Sequence, residues 1–289
     1  MMKALTMETA TGPVHRRTFT SEDRIFVSIG LYSALALAIA VPLIMMFLWS
    51  VADGWSPPLI VPHDYTIARW VSVLSDDSLI RSAITSIFIA VVVTVLTAII
   101  ALPTAWAMGR FPFRLKRLVE IFILAPIIIP GLVVAVGIGK VFLVFGLAYS
   151  LTGVILVQIV GTLPLMIRLM SATLETIPDD LIHAARSLGA NSVGIVLHII
   201  LPLATPGLLA GGLMSFIGSF EEFDKSFIVG APVVQTLPIR LYMYLDPYSL
   251  QLPLAAIVSF ILLLPALVVF IIAGRILRDD LTAAGMGKI

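Results

Sequence analysis

The chain has 289 residues, of which 60% are hydrophobic and only 12% are charged, and its mean hydropathy is +1.09. This composition leaves too little polar surface for a soluble globular protein of this length, and it indicates a polytopic membrane protein. A net charge of +1 gives no reason to expect nucleic-acid binding, and the absence of cysteine excludes disulfides, thiolate metal sites and cysteine nucleophiles.

The apolar stretches predict an all-α membrane protein with about six spans, since about 20 apolar residues are enough to cross a bilayer. Residues 1–24 are polar and predict a tail, residues 25–274 predict the transmembrane domain, and residues 275–289 predict a second tail. The predicted spans are 25–51, 79–108, 118–147, 151–170, 201–220 and 252–274.

The third and fifth of these spans are the richest in proline and glycine, which disturb helices. The third contains Pro126, Pro130 and Gly131, which weaken helical hydrogen bonding and predict a broken or kinked helix. Such helices occur where they line a cavity or pack on protein. The fifth span is rich in glycine, at positions 207, 211, 212 and 218.

The basic residues predict that both termini lie in the cytoplasm. In that orientation the cytoplasmic side carries Lys3, Arg16, Arg17, Arg24, Arg110, Arg114, Lys116, Arg117, Arg168, Arg186, Arg275, Arg278 and Lys288. The other side keeps only Arg69, Arg81, Lys140, Lys225 and Arg240. The connection between the fourth and fifth spans is then cytoplasmic.

That connection, residues 175–200, is polar between two apolar stretches. Pro178 can take the first position of a short helix, with Asp179 and Asp180 in its first turn. One apolar face of this helix is predicted from the 3.6-residue period. Its members are Leu181, Ala184, Ala185 and Leu188.

The predicted helix ends in a bend. Gly189 can take a positive φ and end the helix, and Asn191 or Ser192 can cap a second short helix that ends before Leu201. The small residues of the first helix let another backbone approach closely. The pattern therefore predicts a helix–bend–helix unit with a docking surface.

This unit resembles the Glu-Ala-Ala motif of the type I, MetI-like permeases of binding-protein-dependent ATP-binding-cassette (ABC) importers. The residues that carry the resemblance are Ala184, Ala185, Gly189, Ile199, Leu201 and Pro202. The resemblance implies that residues 175–200 form a cytoplasmic coupling loop seated in a groove of an ATPase subunit, with Asp180 and His183 at the contact. His183 stands where the motif has Glu, which implies an altered contact; a solvated histidine without a role is the alternative.

The resemblance also implies partners. These are a second permease subunit (a paralogue or the same chain), two ATPase subunits that bind ATP and Mg²⁺, and a periplasmic binding protein, all at the bacterial inner membrane. The sequence contains no glycine-rich phosphate loop, metal-ligand spacing or nucleophile with a base, so no cofactor and no enzymatic activity are expected of this chain. The glycines of the fifth span are then interpreted as bending points or as close packing against the other permease.

Acidic residues follow the fifth span. Glu221, Glu222 and Asp224 lie beside Lys225, and acids at a membrane boundary can attract a cation; a solvated loop is the alternative. The stretch, with the later TLPIR and YMYL sequences, resembles the spermidine/putrescine-type branch of these permeases. That resemblance implies a small organic cation as substrate. Relatives that serve aminophosphonates or ferric iron, or a self-sufficient secondary carrier or channel, are the alternative hypotheses.

Two further polar residues lie within predicted spans. Lys140 either extends to the lipid headgroups or contacts an anionic substrate or Glu221 or Glu222. Gln158 either makes a hydrogen bond between packed helices or contacts the substrate. Both are candidates for the substrate pathway, and no metal site is predicted.

Overall fold

The computed structural model describes residues 21–55 and 59–286, which form helices and one two-stranded ribbon. The ribbon pairs β1 (Ala52–Asp53) antiparallel with β2 (Asp64–Tyr65). The helices are α1 (Ser21–Val51), α2 (Ala68–Leu74), α3 (Asp77–Arg110), α4 (Lys116–Ile128), α5 (Gly131–Val144), α6 (Leu151–Glu175), α7 (Asp179–Ser187), α8 (Ser192–Ile195), α9 (Leu201–Phe220), α10 (Asp224–Gly230), α11 (Leu237–Tyr244) and α12 (Leu252–Met286). The predicted all-α membrane fold is confirmed.

The chain divides into two compact units, residues 1–48 and 49–289. In the first unit, the described residues belong to α1, and most of the predicted N-terminal tail lies outside the described residues. Helix α12 continues to Met286, beyond the predicted end of the last span at residue 274.

Among the described residues, five single helices are long and apolar enough to cross a membrane, and a bent pair brings the number to six if it counts as one span. The pair is α4 and α5, which meet at 102° across Pro130. Pro130 stands directly before Gly131, the first residue of α5, so the predicted break in the third span is confirmed and lies at this Pro-Gly sequence.

Contacts between helices give their relative directions. The hydroxyls of Thr97 and Thr162 are 3.0 Å apart, and Ser171 Oγ donates to the Ala105 carbonyl at 3.3 Å, so α3 and α6 run parallel. Because α3 and α6 cross the membrane in the same direction, the chain between them must cross the membrane once in the opposite direction. The bent pair therefore makes one crossing, which gives six spans within residues 21–55 and 59–286.

Helix α9 runs antiparallel to α6 and packs tightly on it. Gly207 lies against Thr173, and Gly211 lies against the Met166 side chain, with no room for a Cβ at either position. These glycines therefore serve close packing within the chain. The interpretation that they pack against another permease is wrong for these two positions, because their partner surface is α6 of the same chain.

The fifth span begins earlier than the sequence predicts. Helical structure is continuous from Ser192 to Phe220, because the π-helical segment Val196–Ile200 joins α8 to α9. The Leu201 N–H donates to the Val196 carbonyl and closes the wider π turn directly before Pro202. Pro202 lacks an N–H and disturbs an ordinary helical turn, so the π segment lets the helix continue through it.

The segment between α9 and α12 folds back onto the bundle. It contains two short helices, α10 and α11. The Leu237 N–H donates to Ser86 Oγ at 2.8 Å and Arg240 Nε donates to Ser82 Oγ at 3.3 Å, which fix α11 to α3. At the start of α3, the Ser78 hydroxyl and N–H bond to Asp76 and lower the pKa of its carboxyl.

Candidate functional site

The coupling loop, residues 175–200, contains α7 and the start of the fifth span. Pro178 lies directly before α7 rather than at its first position, and Asp179 and Asp180 occupy the first turn. Gly189 has φ +83°, as the predicted bend requires. Asn191 Oδ1 accepts a hydrogen bond from the Gly194 N–H at 2.7 Å and caps α8. The predicted helix, bend and second cap are confirmed.

The predicted apolar face of α7 points mostly away from the rest of the chain. Leu181 and Leu188 are 46% and 89% exposed, Ala184 is also exposed, and Ala185 is half-buried. The helix instead turns Ile182 inward, where it is buried against the chain. The outward side keeps an unpartnered apolar surface among the described residues.

Behind α7 lies an apolar cavity of about 400 Å³. Trp106 and Pro103 of α3 line it together with Ile182 and Arg186 of α7. Arg110, at the end of α3, forms an ion pair with Asp179 at 2.7 Å. No sequence pattern indicates this pair, because the two residues lie 69 positions apart.

A second polar region lies beyond α9. We call it the Lys225 cluster: Glu222, Asp224 and Lys225, with Gly131 and Gly161. Lys225 forms an ion pair with Glu222, and both side chains are largely buried, at 9% and 17% exposed. The Lys225 N–H also donates to Glu222 Oε1 at 3.1 Å. The stretch is therefore no solvated loop.

Two glycines make room for this cluster. A Cβ on Gly161 would lie 3.0 Å from Lys225 Cε and 3.2 Å from its Nζ. A Cβ on Gly131 would lie 3.3 Å from Asp224 Oδ2, so this carboxylate faces the N-terminus of α5, where a helix stabilises negative charge. The break between α4 and α5 thus lies beside the acids.

Gln158 is buried next to the cluster, at 1% exposed. Its amide nitrogen donates to Ser226 Oγ at 2.8 Å, and its amide oxygen accepts from Ser219. It joins α6 to α9 and α10, which is the helix-packing role that the sequence offered as one interpretation.

Glu221 differs from its neighbours. It is exposed, and it makes no ion pair with any residue in the ranges 21–55 and 59–286. It lines a pocket of about 280 Å³ with Phe223, Tyr242 and Leu262. The Phe223 and Tyr242 rings are 5.0 Å apart between centroids.

This pocket lies below the rim of the bundle. Ser219, two residues before Glu221, bonds to Gln158, which is seven residues into α6. Phe220 packs in the same cluster as Ile257, five residues into α12. At 1.5 Å per helical residue, Glu221 is about 6–8 Å inside the ends of α6 and α12 on the side opposite the coupling loop.

Residues 101–279 match the family model described as the inner membrane component of binding-protein-dependent transport systems. The chain belongs to this family. It is a multi-pass inner-membrane permease of an ABC import system, and the family is one of transport components rather than enzymes. The matched range includes the coupling loop and the Lys225 cluster.

Relatives in this family differ in what their names say they carry. The sulfoquinovosyl glycerol transport system permease protein SmoH of Agrobacterium fabrum is 24% identical over 96% of this chain and 98% of its own length. The spermidine/putrescine transport system permease protein PotC of Escherichia coli K12 is 28% identical over 76% of this chain and 83% of its own. The polyamine branch is thus one of at least two to which this permease is similar.

A solved structure supports the fold. A bacterial ABC transporter involved in the import of the acidic polysaccharide alginate contains a chain that aligns with a TM-score of 0.70 at 20% identity, over 89% of this permease and 98% of that chain. At that identity the match concerns the fold alone.

The remaining predicted site residues of this permease do not lie together in the structure. Asp180 and His183 are exposed on α7 beside Ala184. The other residues of the motif lie in the first turns of the fifth span; they are Ile199, Leu201 and Pro202. Lys140 is exposed on α5 and pairs with neither Glu221 nor Glu222; the predicted pairing with Glu222 is wrong, because Lys225 holds that carboxylate. Within residues 21–55 and 59–286, no group of three or more metal-ligating side chains comes together.

Proposed function

We propose that this chain is the translocating subunit of an ATP-driven importer whose two ATPase subunits bind the coupling loop from the cytoplasm and hold ATP and Mg²⁺ themselves. A second permease, a paralogue or another copy, completes the pathway, and a periplasmic binding protein delivers the solute. Both termini are cytoplasmic, as the basic residues favour. The observation that carries the proposal is the exposed apolar side of α7, formed by Leu181, Ala184 and Leu188.

That surface has the properties of an anchor for a protein groove. Leu188 is 89% exposed and stands directly before the bend at Gly189, so it projects where the loop turns. Burying a leucine side chain contributes about 1.5–3 kcal/mol, which a groove on a partner can supply. An amphipathic helix laid into an apolar groove is a recurring mode of recognition.

Movement of the ATPase subunits then drives the spans. ATP-driven closure of the ATPase pair pushes on the coupling loop, and the spans switch between inward-facing and outward-facing arrangements. The break at Pro130 and the π-helical segment before Pro202 are the places where the chain can bend. Gly207 and Gly211 hold α9 against α6, so these two helices move together.

The substrate class that the pocket supports best is a small organic cation. Glu222 and Asp224 are already compensated, by Lys225 and by the N-terminus of α5, so Glu221 supplies the uncompensated negative charge. Glu221 also caps the C-terminus of α9, where the helix dipole favours a cation. The Phe223 and Tyr242 rings beside it can contact an ammonium group.

A glycoside is the second candidate. The similarity to the sulfoquinovosyl glycerol permease covers 96% of this chain, more than the similarity to the spermidine/putrescine permease. Aromatic rings beside a carboxylate also suit a sugar, because rings stack on apolar sugar faces and the carboxylate accepts hydroxyl hydrogen bonds. Aminophosphonates and ferric iron have no comparable support in the pocket.

The test is the ATPase activity of the assembled importer in lipid, with its binding protein and with polyamines, glycosides, aminophosphonates and ferric iron added in turn. Stimulation by a polyamine or another organic cation supports the proposed substrate class. Stimulation by glycosides alone would replace it with the second candidate. If the assembly shows no ATPase activity in any of these conditions, the proposed coupling to ATPase subunits is overturned.

Glu221 can then be tested directly. The substitution Glu221→Gln is expected to lower uptake of an organic cation at least five-fold while neutral solutes are unaffected, because it removes the uncompensated charge. Glu120→Gln is the control, since Glu120 is a half-buried acid on α4 whose charge is already paired with Arg168. Equal loss for every solute would mean that Glu221 is structural.

A further inference from the structure

Arg110, the last residue of α3, joins that span to the first turn of α7. Its Nη1 donates to Asp179 Oδ1 at 2.7 Å, and its guanidinium carbon lies 5.1 Å from the centre of the Trp106 ring. The Arg110 side chain is 11% exposed, whereas that of Asp179 is 73% exposed. The backbone does not connect α3 directly to α7, so this ion pair is a link between elements that are otherwise attached only by packing.

Arg110 depends on this ion pair more than Asp179 does. Nε and Nη2 of Arg110 are buried and have no hydrogen-bond partner in the part of the chain that the structure describes. A guanidinium taken out of water in this way is costly, and the Asp179 carboxylate offsets the cost. Asp179 depends less on Arg110, because it is exposed and lies at the N-terminus of α7, where the helix dipole stabilises a carboxylate. Arg110 therefore follows Asp179 when α7 moves.

Beyond Arg110, α3 is fixed to α6. Ser171 Oγ donates to the Ala105 carbonyl at 3.3 Å, and a Cβ on Gly109 would lie 3.2 Å from the Ser171 carbonyl oxygen. Deeper in the bundle, the hydroxyls of Thr97 and Thr162 are 3.0 Å apart. A displacement of Arg110 is thus transmitted along α3 into the packed bundle.

We propose that Arg110 and Asp179 form a positioning contact that carries the motion of the coupling helix into α3. The inference rests on the proposed ATPase contact, which is the exposed apolar side of α7 formed by Leu181, Ala184 and Leu188 and does not include Asp179. Without the pair, α7 stays joined by the chain to α6 and α9 and still binds the ATPase. Helix α3 then no longer follows it, so ATP is hydrolysed without a full change in the spans.

The experiment measures solute imported per ATP hydrolysed, with the complete importer in lipid vesicles. Asp179→Asn preserves shape at an exposed position, so the chain is expected to fold. It should lower the ratio at least five-fold, with ATPase subunits still bound and hydrolysis within two-fold of the unmodified importer. Asp179→Glu, which keeps the charge, should retain at least half of the ratio. Arg110→Gln combined with Asp179→Asn should fall no further than Asp179→Asn alone, because the two residues act as one unit.

The chain offers a matched control pair. Arg168 and Glu120 are also 2.7 Å apart, but they are 65% and 40% exposed and join α4 to α6. Glu120→Gln should leave the ratio within two-fold. The inference is overturned if Asp179→Asn keeps the original ratio, if import and hydrolysis fall in proportion with assembly intact, or if Glu120→Gln has the same effect. Failure of the unmodified chain to bind ATPase subunits would instead overturn the proposed function and the inference with it.

Discussion

Apolar side chains are usually buried and charged side chains are usually exposed. The coupling loop departs from the first rule and the Lys225 cluster departs from the second. In the loop, apolar Leu181 and Leu188 are exposed, while in the cluster Glu222 and Lys225 are largely buried and paired. Exposed apolar surface gains energy only when a partner covers it, whereas a buried ion pair must be compensated within the chain. Substitutions in the loop should therefore change assembly without changing stability, and substitutions in the cluster should change stability first.

The largest expected effect is that of Lys225→Met. It leaves Glu222 buried without its cation, and breaking a buried pair from one side costs about 3–5 kcal/mol. The measurement is thermal unfolding of the purified chain in detergent. Lys140→Met is the control, because Lys140 is exposed and makes no ion pair within the described ranges. An unfolding temperature of Lys225→Met equal to that of the control would remove the distinction between the two regions.

Leu188→Glu tests the loop. A charged side chain at the proposed anchor should weaken ATPase binding at least ten-fold, about 1.4 kcal/mol. The free energy of unfolding should change by less than about 0.5 kcal/mol, because Leu188 is 89% exposed. Co-purification with ATPase subunits and thermal unfolding measure the two quantities. Leu250→Glu, at an exposed leucine before α12, should alter neither. Loss of stability with retained binding would contradict the contrast between the regions.

A smaller effect is expected from glycine substitutions around the cluster. Gly161→Ala places a Cβ 3.0 Å from Lys225 Cε, so the lysine must shift, at a cost of about 1 kcal/mol. Gly137→Ala lies on α5 with nothing within 4 Å of the added atom, and it should stabilise the helix by up to about 1 kcal/mol. If the unfolding temperature falls for Gly161→Ala and rises for Gly137→Ala, the packing of Lys225 against Gly161 is supported. The same sign for both would mean that Lys225 does not constrain Gly161.

The regular features of the fold could be predicted from the sequence because they depend on local chemistry. Apolar length indicated the spans, the Pro130-Gly131 sequence indicated the break, and Gly189 indicated the bend after α7. Periodicity indicated an amphipathic coupling helix but not which side the chain itself covers. That choice depends on Ile182 meeting the end of α3.

The features that could not be predicted from the sequence depend on contacts between residues far apart in the chain. The pocket for Lys225 needs glycines on two other helices, Gly131 and Gly161, and nothing near Lys225 indicates them. The partner of Arg110 likewise lies 69 positions away, beyond α6 in the sequence, so a count of basic residues did not indicate the role of Arg110. The separation of Glu221 from Glu222 and Asp224 follows from these distant contacts.

Solute uptake into vesicles that contain this chain and its second permease, with and without the ATPase subunits, tests the central claim most directly. The binding protein is supplied at the periplasmic face of the permease and ATP at the cytoplasmic face. In a parallel experiment, an ion gradient is imposed across the vesicle membrane. The proposed function predicts accumulation only when the ATPase subunits and ATP are present, whatever the ion gradient. Accumulation driven by the gradient without ATPase subunits would contradict it and would identify a self-sufficient secondary carrier.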